Sequence, residues 1–347
     1  MPFRKTVCPI SSLCYMTPYT ATMSTPHQVI IIGGGPVGLF LAILLAKSNI
    51  EVTVLEAATD VGTETKAMAH QPSIYGEFKR AGVAEDLFAA GFMANGFCFR
   101  RPMEGGILAK MPHAPGKPTT LLLPQSQFWT VLEQHLRTYK HANLLMGYRV
   151  VSIDNDLTGS SGGSATVTAQ TANGKTEVFH ASHICGSDGS HSTVRKLCDI
   201  SFDGETLPEQ LVATDIIYPF EKYGFLDTNF MVDPAHYGLI SRIQGGTWRV
   251  SYGCPDAMGY EEIEKGLPAK FESMLPGPRP LHYEIKRIAL YKAQQRCGST
   301  FRKGRVMLLG DAAHSEPIFV VQLYFRHVLI DCSHQSLRGP RLELGLL

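Results

Sequence analysis

Three glycines and one carboxylate near the start of the chain have the spacing of a phosphate-binding turn. Gly33, Gly35 and Gly38 follow the apolar run Val29–Ile32, and Glu56 ends a second apolar segment. Glycine allows a tight turn and lets a pyrophosphate approach the free N–H groups at the start of a helix. A carboxylate about twenty residues further on can accept hydrogen bonds from a ribose. The pattern predicts a dinucleotide site and by itself leaves FAD and NAD undecided.

Two further motifs place an aspartate beside a glycine after an apolar run. Asp188-Gly189 stands in the middle of the chain, and Gly310-Asp311 stands near its end. An isolated Asp-Gly pair is usually a β-turn, but an aspartate at a strand end can also bind a ribityl or ribose hydroxyl. Because both motifs follow the first in the order expected for contacts with one cofactor, the three together favour FAD.

The segments around these motifs must form the elements that hold them. Residues 29–32 and 51–55 are β-branched apolar runs typical of parallel strands buried on both faces, and 39–47 predicts the helix between them. The apolar runs before Asp188 and Gly310 predict two more strands.

Periodicity predicts the remaining elements. Helices are expected at 73–80, 127–141 and 261–274, and hairpins are expected to turn at 104–106 and 173–174. Strands are expected at 211–218, 229–232, 237–243, 247–252 and 282–290. These elements predict an α/β fold, in which a Rossmann-like FAD-binding domain carries a mainly antiparallel β-sheet substrate domain of α+β type.

The composition argues against several classes of protein. Lysine plus arginine (32) nearly balances aspartate plus glutamate (31), so no charge imbalance points to nucleic acid. The eight cysteines and 13 histidines show no metal-ligand spacing, which predicts a reducing, cytoplasmic setting and no metal site. No apolar run approaches the roughly 18 residues of a membrane span. Residues 1–22 lack the apolar stretch of a secretory signal, and Met23 is an alternative start to Met1.

With these motifs, the chain resembles the FAD-dependent aromatic hydroxylases, the p-hydroxybenzoate hydroxylase-like flavoprotein monooxygenases, over residues 28–317. The resemblance implies that the ADP half of FAD is held by Gly33, Gly35, Pro36, Val37, Gly38, Glu56 and Ala57. It implies that Asp188 and Gly189 serve both FAD and NAD(P)H, and that Gly310 and Asp311 bind the ribityl region. It also implies an FAD contact from Gln125, with Gln127 as the alternative, and places Lys66 where the family often has an arginine.

The resemblance implies a monooxygenase that uses NAD(P)H and O₂ to hydroxylate an aromatic or polyketide-like small molecule, and it implies a setting in secondary metabolism. A phenol, a salicylate-like acid and a polyketide aromatic all suit it. Because the cofactor performs the difficult step, no general base is assigned. Arg242, Arg249 and Tyr252, on the predicted substrate sheet, are the candidate substrate contacts. Side chains alternate along a strand, so Arg249 and Tyr252 should point to opposite faces.

The same resemblance predicts how the chain divides. Residues 1–27 are expected to be a disordered extension, 28–200 the FAD-binding domain (with part of the substrate region near 95–125), 201–295 the substrate-binding β-sheet domain, and 296–317 a return to the FAD-binding domain. After Pro317 the family's Gly-x-Gly-x-Asn loop is missing, since the next glycine is Gly339. Residues 318–347 therefore predict an altered or truncated C-terminus, and the alternative function is a catalytically impaired FAD-binding remnant of such an enzyme.

Overall fold

The computed structural model describes residues 28–62, 69–103, 105–155, 164–255 and 258–315. The predictions made for residues 1–27, Lys66 and residues 318–347 lie outside these ranges.

Twenty strands occur within the described residues. In chain order they are β1 (Val29–Ile32), β2 (Val52–Glu56), β3 (Ala69–His70), β4 (Phe92–Met93), β5 (Gly96–Arg100), β6 (Ile107–Pro112), β7 (Leu121–Leu122), β8 (Ala142–Met146), β9 (Tyr148–Asp154), β10 (Ala165–Thr171), β11 (Thr176–Ala181), β12 (His183–Gly186), β13 (Phe202–Ile217), β14 (Thr228–Met231), β15 (Gly238–Arg242), β16 (Thr247–Cys254), β17 (Glu284–Gly298), β18 (Arg302–Lys303), β19 (Val306–Leu308) and β20 (His314–Ser315).

Six α-helices and four 3-10 turns connect them within the same ranges. The helices are α1 (Pro36–Lys47), α2 (Tyr75–Ala81), α3 (Ala84–Ala90), α4 (Gln125–Leu136), α5 (Thr193–Leu197) and α6 (Tyr260–Met274). The 3-10 turns are Pro72–Ile74, Phe220–Tyr223, Gln244–Gly246 and Gly310–Ala312.

A six-stranded sheet brings the three motifs together. Its strand order is β18-β19-β12-β1-β2-β8, and every neighbouring pair is parallel except β18 with β19. The carboxyl ends of parallel strands meet at one edge of a sheet, which is where open α/β sheets bind their ligands. The glycine turn after β1, Glu56 at the end of β2, Asp188 after β12 and Gly310 after β19 therefore share one edge.

The central strand of this sheet is apolar on both faces because both faces are covered. Ile31 packs into the core beneath α1 and α4, and Ile30 packs into a second core that includes β10 of the antiparallel sheet β11-β10-β9. Ile30 and Ile31 are fully buried. An uninterrupted apolar run is the sequence pattern of a strand sandwiched in this way.

An eight-stranded sheet forms the second layer of the molecule. Its order is β20-β17-β13-β16-β15-β14-β5-β6, and its neighbours are antiparallel except β14 with β5. One face of the sheet packs against α6, where Trp248 and Val250 of β16 share a core with Leu267 and Phe271. The predicted fold class, an α/β cofactor-binding sheet with a mainly antiparallel second sheet, is confirmed.

Several predicted boundaries are wrong, for long-range reasons. Helix α4 ends at Leu136 rather than near residue 141, because residues 142–146 pair with β2 as strand β8. Strand β9 was not predicted. It pairs with β10 and completes the three-stranded sheet that contains the predicted hairpin of β10 and β11. The third motif itself forms the 3-10 turn Gly310–Ala312, which is followed by β20.

Candidate functional site

Two glycines of the first motif are required by the packing of the protein itself. Gly33 has a φ of 104°, and a Cβ atom there would lie 2.5 Å from the carbonyl oxygen of Ser187. A Cβ atom on Gly38 would overlap the carbonyl oxygen of Gly33 and approach Ser187 Oγ to 2.6 Å. The Ser187 hydroxyl also donates to the Gly33 carbonyl at 2.9 Å. These glycines thus let β1, α1 and the end of β12 approach one another closely.

Gly35 differs, because no atom of the described residues lies within 4 Å of the position its Cβ would take. Gly35 precedes α1, whose first residue is Pro36, and the start of this helix has no side-chain cap and no acidic residue in its first turn. The positive end of the helix dipole is therefore not compensated by a residue of α1 itself and borders open space. This arrangement fits a pyrophosphate, which needs both that space and that positive end.

Glu56 holds the same turn from the end of β2. Its Oε2 accepts a hydrogen bond from the backbone N–H of Gly34 at 2.6 Å, and its Oε1 accepts one from Ala58 at 2.8 Å. Trp129 of α4 donates its indole N–H to the Gly34 carbonyl at 2.6 Å. Each carboxylate oxygen has a second acceptor position, so the group fixes the loop and still fits the ribose role. Ala57 is exposed beside it.

Asp188 acts as a cap for α5. Its Oδ1 accepts from the Ser192 hydroxyl at 2.5 Å, and its Oδ2 accepts from the backbone N–H groups of Thr193 at 2.6 Å and Val194 at 3.1 Å. These bonds satisfy N–H groups that a helix start leaves without partners. The structure thus gives Asp188 a local role that the sequence did not predict. Gly189 follows with a φ of 80°.

Arg195 connects the second motif to the third. Its side chain is buried. It donates one hydrogen bond from Nη1 to the Ala312 carbonyl at 2.9 Å and another from Nη2 to the Ser190 carbonyl at 2.7 Å. Its guanidinium also lies 3.7 Å from the centre of the Phe202 ring. Burial lowers the pKa of Arg195 and the charge of Asp188 partly offsets this effect. One planar cation therefore fixes the two turns relative to each other.

The third motif lies against the start of α1. Gly310 has a φ of 55°, and a Cβ atom there would come within 2.9 Å of Val37 Cγ2. The next side chain, Asp311, is exposed and has no hydrogen-bond partner among the residues that the structure describes. An exposed carboxylate at the edge where the three motifs meet fits a hydroxyl of the cofactor.

Asp311→Ala is expected to weaken FAD binding by roughly 10- to 100-fold, because a charge-assisted hydrogen bond contributes about 1.5–3 kcal/mol. The dissociation constant is measured by titrating apoprotein with FAD and following the quenching of tryptophan fluorescence. Asp311→Asn serves as the matched variant, since it keeps the hydrogen-bonding shape and removes the charge, and it should give an intermediate constant. An unchanged constant in the alanine variant would contradict the role given to Asp311.

The two glutamines at the start of α4 have different surroundings. Gln127 donates its amide N–H to the side-chain oxygen of Gln244, in the turn Gln244–Gly246 of the eight-stranded sheet. Gln127 thereby joins α4 to that sheet. Gln125 is the first residue of α4, directly after Pro124. The assignment of Gln125 to FAD stays a prediction.

Arg242 lines a cavity where the turn after β15 meets the end of α3. The cavity has a volume of about 280 Å³ and is lined by Gly91, Phe92, Arg242, Ile243, Gln244 and Gly245. The Arg242 guanidinium lies 5.6 Å from the centre of the Phe92 ring and 3.5 Å from Asp227 Oδ1. Since dry cavities of about 150 Å³ accept benzene, this space is large enough for one substituted aromatic ring.

The other two substrate candidates lie elsewhere on the sheet, on opposite faces of β16. Tyr252 packs in the core beneath α6, 5.2 Å from Lys270 Nζ, and burial raises its pKa. This position separates Tyr252 from the cavity. Arg249 makes a two-point ion pair with Asp215, with Nε–Oδ1 at 2.7 Å and Nη2–Oδ2 at 2.9 Å.

Three residues that contact the motif turns were not identified from the sequence. Trp129, Ser187 and Arg195 all bond to the backbone of a motif turn. Arg195 and Ser187 flank Asp188-Gly189 in sequence, so their proximity to that motif was a signal. Nothing in the sequence links Trp129 to Gly34, which is 95 positions away.

The described residues lack the features of two other kinds of site. No set of three histidine, cysteine, aspartate or glutamate side chains among them is arranged to hold a metal ion. No helix among them has the length and apolar character needed to span a membrane.

Comparisons with known proteins agree with the geometry. A model of the FAD binding domain family matches residues 26–319. The chain is 36% identical over 301 residues to para-nitrophenol 4-monooxygenase of Pseudomonas sp. (strain WBC-3), covering 84% of this chain and 73% of that protein. It is 31% identical to 6-hydroxy-3-succinoylpyridine 3-monooxygenase HspB of Pseudomonas putida (strain DSM 28022 / S16), covering 84% of this chain and 74% of that one.

Solved structures show the same fold. The crystal structure of p-nitrophenol 4-monooxygenase PnpA from Pseudomonas putida DLL-E4 superposes with a TM-score of 0.78 at 33% identity, over 84% of this chain and 74% of that one. The flavin-dependent monooxygenase PieE, solved with FAD and substrate, gives a TM-score of 0.74 at 18% identity, over 89% of this chain and 56% of that one. The motif geometry, the family model and these relatives lead to one assignment: the chain belongs to the FAD-binding aromatic monooxygenases.

Proposed function

We propose that this protein hydroxylates a small aromatic molecule, using bound FAD, NAD(P)H and O₂. The observation that carries the proposal is the convergence of three motifs at one sheet edge, with the open face of Gly35, the uncapped start of α1 and the exposed Asp311 carboxylate together. The relatives support it, since one of them, 36% identical to this chain, is a para-nitrophenol 4-monooxygenase. They favour this function over an impaired FAD-binding remnant.

The residues of the chain would divide the work of holding the cofactor. The start of α1 binds the pyrophosphate, Glu56 orders its loop and accepts from the ribose, and Asp311 accepts from a hydroxyl nearer the flavin. Bound FAD supplies the redox chemistry that joins NAD(P)H oxidation to oxygen activation. Arg195 acts indirectly, because it fixes the turns that carry Asp188 and Gly310.

The eight-stranded sheet would supply the substrate side of the site and exclude water from it. Arg242, Phe92 and Ile243 line the cavity between the end of α3 and the turn after β15, and they are the proposed substrate contacts. The division into an FAD-binding part (28–200 and 296–317) and a substrate part (201–295), and a cytoplasmic location, belong to the same proposal.

The function is tested with FAD-loaded protein, NADH or NADPH, and a panel of phenols. We expect oxidation of one nicotinamide to be stimulated by a phenol and to yield hydroxylated product, quantified by chromatography against nicotinamide consumed and hydrogen peroxide released. Protein without added phenol is the control for idle oxidation. FAD binding without product from any phenol, at either nicotinamide, would favour the impaired remnant instead.

A further inference from the structure

One face of the eight-stranded sheet is turned toward the cofactor-binding half of the molecule. Ser241 of β15 and Ile243, the extended residue just after β15, point to the same side because strand side chains alternate. Ile243 is buried against Leu122 and Ala94, which belong to the region around the small sheet β3-β7-β4. The face that carries Ser241 is therefore the inner face, opposite the core beneath α6.

A polar row crosses this inner face. Ser241 is paired with Arg249, Arg249 with Asp215, and Asp215 with Arg287, on four successive strands. Directly paired residues lie on the same side of a sheet. The adjacent row is uncharged and is formed by Phe230, Leu239, Ser251 and Ala213.

The arginine in the middle of this row already has a buried carboxylate partner. Arg249 is 11% exposed and makes its two-point ion pair with Asp215, which is 8% exposed. Arg242 does not belong to the row, because it is paired with Trp248 of the core beneath α6, and its side chain is 46% exposed.

A carboxylate on a substrate at this face would have to compete with Asp215 for Arg249. It would place a second negative charge beside Asp215 in a region of low dielectric, where like charges repel strongly. Arg287 does not change this balance, because it is 4.0 Å from Asp215 and 30% exposed, so solvent screens it. The inner face therefore offers hydroxyls and apolar surface, and the charge of Arg249 is compensated.

We infer that Asp215 is a specificity-determining residue that neutralises Arg249, so that the enzyme selects phenols without a carboxylate and discriminates against phenolic acids. The inference rests on the proposed function and narrows its substrate class. Specificity of this kind comes from repelling the wrong ligand as much as from attracting the right one.

The test compares two ligands of nearly equal shape, para-hydroxybenzamide and para-hydroxybenzoate, on FAD-loaded protein. Dissociation constants are taken from the change in flavin absorbance, and hydroxylated product is measured in parallel. We expect the amide to bind at least about tenfold more tightly than the acid. Equal or tighter binding of the acid would overturn the inference. If neither ligand perturbs the flavin and no phenol is hydroxylated, the proposed function itself fails.

Variants test the cause of the discrimination. Asp215→Asn should shift the acid-to-amide affinity ratio toward the acid by about tenfold, because it frees the charge of Arg249 and keeps a similar shape. Arg287→Gln removes a cation next to the same carboxylate and should leave the ratio unchanged. If Asp215→Asn protein retains FAD and its acid-to-amide affinity ratio is unchanged, other groups must cause the discrimination. If the Asp215→Asn variant does not fold, the comparison of the amide with the acid in the unaltered protein still tests the inference.

Discussion

Gly35→Val is expected to give a folded protein that purifies without FAD. Among the described residues, no atom lies within 4 Å of the added Cβ position, so the substitution should leave the packing of β1 and α1 intact. The valine side chain would instead occupy the space beside the start of α1 that the pyrophosphate needs. We expect FAD affinity to fall by at least about 100-fold, equivalent to about 2.7 kcal/mol. Flavin absorbance per protein and an FAD titration measure the effect.

Gly33→Val is the contrasting variant, because its defect should lie in folding. Gly33 has a φ of 104°, and its added Cβ would lie 2.5 Å from a backbone carbonyl oxygen. A β-branched residue is poorly tolerated there, so we expect little soluble protein. Gly35→Val protein that retains a full complement of FAD would contradict the pyrophosphate site. Equal loss of folding in both variants would show that Gly35 also has a packing role.

Arg195→Met is expected to lower the free energy of unfolding by about 2–4 kcal/mol, because one buried and one partly buried carbonyl group lose their donor. The affected carbonyls belong to Ser190 and Ala312, in the turns of the second and third motifs. FAD affinity should fall as well, since these turns would no longer be held in register. Denaturant unfolding of the apoprotein gives the stability change separately from any effect of bound cofactor.

Two control variants test whether the loss of stability is specific to Arg195. Arg302→Met removes an exposed arginine whose Nε donates to the Gly304 carbonyl, and it should change stability by no more than about 0.5 kcal/mol. Arg195→Lys keeps the charge and loses the two-point fork, so it should restore only part of the stability. A methionine variant as stable as the unaltered protein would show that Arg195 does not connect the motifs.

The sequence by itself determined the cofactor half of the molecule. Gly33, Gly35 and Gly38 lie in one short segment, and their spacing encodes a turn whose geometry is local. The apolar run Val29–Ile32 predicted a doubly buried strand because a parallel strand needs no alternation. The hairpin at 173–174 and helix α6 followed from turn chemistry and periodicity, and both are present.

Only the tertiary structure decided which side chains meet. The pairing of Arg249 with Asp215 depends on the register of two strands, and the two residues are 34 positions apart. Trp129 bonds to Gly34 because α4 packs on α1. Asp188 accepts hydrogen bonds from α5 because that helix starts beside it. Tyr252 faces the core rather than the cavity because α6 covers its side of the sheet. Local periodicity specifies elements, whereas the contacts between them depend on long-range packing that no short segment encodes.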